Sequence, residues 1–252
     1  MRRARVIPVL LLHKEGLYKT VKFDKARYVG DPINAVKIFN EKEIDEIVVI
    51  DIDATGQRRG PNFERISEIA GEAFIPLAYG GGITTIEEVK KLFFLGIEKI
   101  ILNNAAYQTP KLITEAAKRV GSQSVVASVD YKRNFFRKSI VYTLNGREST
   151  GTDPLSYARK MVDLGAGEII LNNIERDGTY VGYDLEMIQK ISSAVSVPVI
   201  ALGGAGTVDD LKNAINAGAS AVAAGSMFVF QRPHNAVLIS YPSASALKEV
   251  IF

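Results

Sequence analysis

The chain has no cysteine and only two histidines, His13 and His234. Disulfides, thiol nucleophiles and cysteine-ligated zinc or iron–sulfur centres are thereby excluded, and a histidine-rich metal site is not expected. An excess of charge of one sign is missing as well. Against 31 Lys and Arg stand 28 Asp and Glu, a net +3 over 252 residues. That is too small for a whole-chain nucleic-acid or membrane footprint. No long hydrophobic run occurs either. The opening MRRARVIPVLLLHKEG is basic and then apolar, like a secretory leader. Its run breaks at His13 without a small-residue cleavage site, so it reads as a first strand. A cytoplasmic protein with no metal and no resident cofactor is expected.

What is present is core-forming. Hydrophobic residues make up 47% and charged residues 23%, enough for a sizeable interior and too apolar for wholesale disorder. Short runs that are apolar on both faces, as buried parallel strands are, occupy 5–12, 46–51, 73–79, 98–103, 124–130, 168–173, 197–202 and 220–225. Helix-like stretches separate most of them. TTIEEVKKLFFLG (84–96), for example, ends in a glycine where a helix C-cap belongs. Eight strands with intervening helices describe a (β/α)8 TIM barrel better than an open sheet. One insertion, SIVYTLNGREST (139–150), carries the hairpin signal Asn145-Gly146 after the fifth strand.

The chain also repeats itself. IPLAYGGGITTIEEVKKLFFLG (75–96) aligns with VPVIALGGAGTVDDLKNAINAG (197–218), an offset of 198 − 76 = 122. At that offset Asp31-Pro32 meets Asp153-Pro154, Glu46 meets Glu168, and Gly56 meets Gly178. We therefore expect a single domain, 1–252, made of two half-barrels near 1–122 and 123–252.

The motifs follow the repeat. Gly80-Gly81-Gly82 and Gly203-Gly204 each end a strand and precede a helix, where backbone N–H groups can hold a phosphate and where tight turns also need glycine. Asn103-Asn104 and Gly225-Ser226 end the neighbouring strands, one pair in each half. Two such clusters predict two phosphate sites across the barrel mouth and an elongated, phosphorylated small-molecule ligand. Asp130 ends the fifth strand, where a buried carboxylate can take and return protons and where a helix N-cap is the plainer role. Asp51, Asp53 and Asp177 end other strands. The first strand ends in Leu10-Leu11-Leu12 and offers no partner, although acid–base chemistry on one substrate usually uses two groups. Arg5, Glu46, Lys99 and Glu168 fall at the opposite strand ends and could meet as a salt-bridged ring, or stand solvated and apart. Lys19 reads as an ordinary surface lysine that could reach the mouth, and both histidines read as incidental.

Over nearly the whole chain the sequence resembles the cyclase subunit of imidazole glycerol phosphate synthase, the HisF family. The matching stretches are VIP (6–8), GDP (30–32), DEIVVIDIDA (45–54), YGGGI (79–83), GSQSVV (121–126), GAGEII (165–170), ERDGTYVGYD (175–184), GGAG (203–206) and AAGSMF (223–228). The resemblance implies a glutaminase partner whose ammonia crosses the barrel to a bisphosphate at the mouth. It implies imidazole glycerol phosphate and an aminoimidazole carboxamide ribotide as products. Position by position, it makes Asp130 the fifth-strand acid/base. It assigns Gly82, Asn103 and Asn104 to one phosphate site, and Asp177, Gly178, Gly204, Gly225 and Ser226 to the other. Arg5, Glu46, Lys99 and Glu168 become the gate at the ammonia entrance, and Lys19 and Arg27 fall in the family's mobile loop.

The pattern departs in three places. Leu11 stands where the family's other catalytic aspartate is expected, Leu202 replaces a serine, and PHNAVLISYPS (233–243) stands in place of the usual final helix. With KTVKF (19–23) and VLISYP (237–242), these departures resemble the paralogous, glycosyl-amidation-associated WbuZ branch. That branch implies ammonia delivery for N-acetyl-sugar amidination in surface-polysaccharide synthesis, beside a glutaminase and an N-acetyl-sugar amidotransferase. Other readings remain: an active cyclase in which another carboxylate, such as Asp51, covers for position 11, a phosphate-binding scaffold with no ammonia role and, more distantly, a sugar-phosphate isomerase on the same half-barrel architecture.

Overall fold

The computed structural model describes residues 4–42 and 44–251. Eight parallel strands close on themselves: β1 (Arg5–His13), β2 (Ile47–Asp51), β3 (Leu77–Gly80), β4 (Lys99–Leu102), β5 (Val125–Arg133), β6 (Glu168–Asn173), β7 (Val199–Leu202) and β8 (Ala221–Ala224). The ring is closed by β8 on β1, with Arg5 opposite Ala221 and Pro8 opposite Ala224. A helix follows each strand: α1 (Pro32–Glu41), α2 (Phe63–Glu72), α3 (Ile86–Phe94), α4 (Lys111–Val120), α5 (Pro154–Asp163), α6 (Leu185–Ser192), α7 (Val208–Asn216) and α8 (Ala244–Ile251). This is the (β/α)8 barrel that the apolar runs imply. Two of those runs start late as strands. Pro76 and Pro198 cannot donate to a ladder, so β3 and β7 begin one residue beyond each. Their carbonyls instead accept from Ile47 N at 2.9 Å and Ile169 N at 3.0 Å.

Alternation along the strands divides the core in two. Ile7, Val9, Val48, Ala78, Ile101, Val126, Ile170, Ile200, Ala221 and Ala223 fill the barrel interior. The outward-facing residues, among them Val6, Leu10, Val49, Tyr79 and Leu171, pack under the helices with Phe39, Ile69, Leu92 and Met161.

Features 122 residues apart have the same local geometry. Asp31 and Asp153 both cap helices that open on proline. Asn62 and Asp184 cap α2 and α6. Thr85 and Thr207 each form a full capping box, with Glu88 and Asp210 reaching back to the cap.

Two expectations are corrected. The segment after β1 is a ribbon rather than an irregular loop: Gly16–Val21 pairs with β1 and with Asp24–Gly30, and Lys19 lies opposite Arg27. The stretch 233–243 does not replace the final helix. It precedes α8, which Ser243 caps through Ala246 N at 3.3 Å and which buries Leu247 and Val250 beside α7.

The twin capping boxes supply a stability test. Thr85→Ala and Thr207→Ala should each cost about 1 kcal/mol in urea unfolding. The double variant should lose roughly the sum, since the two sites share no partner.

Candidate functional site

The C-terminal ends of the strands surround a cavity whose floor is aliphatic: Val9, Leu11, Val48, Ile50, Ile101, Ile170 and Leu202. Polar groups stand above this floor. Asp130 projects from β5, the strand diametrically opposite β1 and Leu11 in the closed ring. Ser128, two residues earlier on the same face, donates Oγ–H to Asp130 Oδ1 at 2.9 Å. The Asn172 side chain of β6 also donates to it. Burial pushes the Asp130 carboxyl up to about 6; these two donors pull it back, and the nearby Asp177 charge adds to the rise.

The ribbon after β1 brings a second charged group into the mouth. Lys19 is buried, its ammonium donates to the Val9 carbonyl, and its Nζ lies against Gly225, leaving no room there for a Cβ. Burial lowers Lys19 to about 8 against the upward pull of Asp177. Burial in turn holds Asp177 above the ordinary carboxylate range, opposed by Lys19, by the Thr20 hydroxyl at 3.3 Å and by the Phe23 backbone N–H. The same ribbon is pinned by Lys22 N to the Asp177 carbonyl at 2.9 Å. Gly178, at φ +69°, lets this happen: a side chain there would collide with the Thr20 carbonyl.

Of the residues singled out from sequence, Lys19, Gly82, Asn103, Asn104, Asp130, Asp177, Gly225 and Ser226 line this cavity together, with Gly82 to Asn104 on one side of the mouth and Gly225 to Ser226 on the other. Gly178, Gly204 and Arg27 do not line it. Gly204 faces the Gly182 carbonyl, and its own oxygen accepts Gly182 N at 2.8 Å. Arg27 stacks on the Phe230 ring at 5.0 Å from its centroid. Asp51 borders the cavity but is engaged, accepting Asp53 N and Ala54 N at 3.0 Å each and pairing with Arg59 at 2.9 Å. His13 pairs with Asp53 at 2.7 Å beside the ribbon. Ser128, Asn172 and Thr20 were not foreseen. Ser128 was legible as the i−2 neighbour of Asp130, and the other two reach the site through tertiary folding alone.

At the other end of the barrel the four charged strand starts meet. Arg5 pairs with both Glu46 and Glu168, and Lys99 Nζ bridges the same two carboxylates at 2.9 Å each. Both glutamates are buried, so a solvated, unpaired arrangement does not describe them. Burial alone would lower Arg5, but the two carboxylates outweigh it and hold the guanidinium above its usual range. Phe74 and Phe94, 85% and 88% exposed, stand on this same face, at the turn into β3 and the end of α3. No group of metal-ligating side chains occurs among the described residues.

Residues 5–233 match the family model described as "Histidine biosynthesis protein". A Pseudomonas aeruginosa protein provisionally named imidazole glycerol phosphate synthase subunit hisF2 is 50% identical over 248 residues, 98% of this chain and 99% of its own. A Leptospira borgpetersenii protein, provisionally named the HisF subunit of that synthase, is 47% identical over 254 residues, spanning both chains in full. The imidazole glycerol phosphate synthase subunit HisF of Alkaliphilus metalliredigens is 41% identical over 225 residues, 89% of each chain. The chain belongs to the HisF family of histidine-biosynthesis barrels.

The electrostatics of Asp130 are directly measurable. Its carboxyl should titrate near pH 6 by carbon-13 NMR, and higher in Ser128→Ala, which loses a donor to the charged form. A carboxyl whose pKa is higher folded than unfolded weakens the fold as pH rises through that interval. Asp130→Asn should therefore leave stability unchanged below about pH 4 and raise it progressively towards pH 7.

Proposed function

We propose that this chain is the ammonia-accepting subunit of a glutamine-dependent synthase. A HisH-like glutaminase docks on the face that carries Phe74 and Phe94, and the barrel delivers ammonia for N-acetyl-sugar amidination in surface-polysaccharide synthesis, as in the WbuZ branch. The observation that carries this reading is an asymmetry between the two ends. The ring of Arg5, Glu46, Lys99 and Glu168 is complete, whereas Leu11 faces the mouth opposite Asp130. In this reading the ring is the gate. Its charges satisfy one another, so a neutral solute passing them leaves no buried charge bare.

At the mouth, Asp130 gives up and takes back its proton near pH 6, and Gly82, Asn103 and Asn104 face Gly225 and Ser226 across a gap suited to a doubly phosphorylated or phosphosugar ligand. Lys19 adds a cation on the Gly225 side, where its ammonium can neutralise a phosphate. Gly178 and Gly204 support this rim rather than touching the ligand, and Arg27 holds the ribbon against Phe230. Leu11 and Leu202 make the floor unable to give or accept a proton, which disfavours the two-carboxylate cyclisation. Passage of ammonia to an N-acetyl-sugar amidotransferase better fits a barrel with no carboxylate at position 11, opposite Asp130. No described helix is long and apolar enough to cross a membrane, which agrees with cytoplasmic work.

An active histidine-pathway cyclase is the second reading, and a particular observation favours it. Asp177 is a second buried carboxyl in the mouth, with Lys19 beside it, and could serve in place of position 11. Asp51 is a poorer substitute because Arg59 and two backbone N–H groups already hold it.

Cyclase turnover with saturating ammonium ion, compared between wild type and Leu11→Asp, separates the readings. Activity only in Leu11→Asp supports the conduit; robust wild-type turnover establishes the cyclase and overturns it. In whichever form is active, Asp130→Asn should lower kcat by about 10²–10⁴-fold, the usual worth of a general acid–base. In that same form, paired with the glutaminase, Lys99→Met should depress glutamine-driven turnover and spare ammonium-driven turnover. Equal loss of both would remove the gate from the account.

A further inference from the structure

The hairpin that extends β5 beyond the barrel ends in KRNFFRK (132–138). Its apex is a closed turn: Asn134 N donates to the Lys138 carbonyl at 2.9 Å, Lys138 N to Asn134 Oδ1 at 3.0 Å, and Arg137 N to the Asn134 carbonyl at 2.9 Å. On this turn stand Phe135, 95% exposed, and Phe136, 76% exposed, their rings edge to face with centroids 5.5 Å apart. Lys132, Arg133, Arg137 and Lys138 flank them, four cations within seven residues and no acid among them. Glu175 approaches the turn, its carboxylate accepting the Arg133 backbone N–H at 3.1 Å. Lys132 leans back onto the Gly146 carbonyl and the Tyr142 ring, which leaves Arg133, Arg137 and Lys138 around the apex. The net charge of +3 averages over this cluster and conceals it.

We propose that this tip is a reversible anchor to an anionic lipid surface, with Phe135 and Phe136 entering the interface and the flanking cations on the headgroups. Two exposed aromatic rings at an apex lose water on entering the acyl boundary, while each cation near an anionic surface adds attraction. Neither contribution holds a protein alone; together they make the two-signal arrangement that weak peripheral binding uses. A lipid surface fits the tip better than a protein socket does. A stable protein interface takes about 20–30 residues a side, and five apex residues supply far fewer, whereas a bilayer requires no complementary shape. Because β5 leaves the barrel at its mouth, the anchor would turn the mouth towards the lipid and the Arg5–Glu46–Lys99–Glu168 face away from it. This inference does not depend on the ammonia reading.

Co-sedimentation of the full chain with phosphatidylcholine vesicles, with and without phosphatidylglycerol, tests it. Wild type should bind only the phosphatidylglycerol vesicles and be released by salt. Arg137→Gln and Lys138→Gln should each weaken binding about fivefold, and Phe135→Ser with Phe136→Ser should abolish it. Both phenylalanines are exposed, so that double variant should unfold at the wild-type temperature. No binding to phosphatidylglycerol vesicles, or binding indifferent to the double variant, overturns the proposal. Concentration-dependent self-association that the double variant abolishes, without vesicle binding, would assign the tip to a second copy of the chain and equally overturn it.

Discussion

Closure of the parallel sheet is the constraint on which the rest depends. Once β8 pairs with β1, every strand is hydrogen-bonded on both sides and alternate side chains must point into one narrow interior. That space accepts aliphatic residues and little else. Chemistry is therefore driven to the strand ends, and the two ends can diverge independently. One end keeps four charges that satisfy each other. The other has an aliphatic floor with Asp130, Asp177 and Lys19 above it.

The mouth shows how environment sets the behaviour of ordinary groups. Asp51 and Asp130 both end strands and both border the cavity. Asp51 is consumed by Arg59 and by the backbone of its own turn, while Asp130 has only neutral donors and is pushed up by burial. Lys19 would be an unremarked surface cation on a free loop. Pairing of its ribbon with β1 buries it beneath the Val9 carbonyl and against Gly225.

Much of the architecture was legible because it rests on local pattern. Eight short runs apolar on both faces, separated by helix-like stretches, read as buried parallel strands. The 122-residue offset aligned Thr85 with Thr207, and the structure gives both the same capping box, which depends on residues three apart. The site was legible at the strand ends. The pattern placed Arg5, Glu46, Lys99 and Glu168 at one end and left open whether they meet or stand solvated, since closure alone brings them together. The ribbon at 16–30 hid because its sequence, LYKTVKFDKARYV, mixes charge with apolar residues over a solvent-facing edge. The final helix hid because it is short, with Leu247 and Val250 its buried anchors among the described residues.

The aliphatic interior has one more consequence. The residues from Ile7 to Ile200 that fill it are aliphatic, so under the proposed conduit a solute crossing along the axis would do so uncharged. Any proton shed at the charged ring would then stay behind in the outer solvent. If the solute is protonated again on arrival, that proton must come from the mouth itself. There Asp130, Asp177 and Lys19, displaced towards neutrality from opposite directions, form a local proton reservoir. The two ends of the barrel would then be coupled through proton balance.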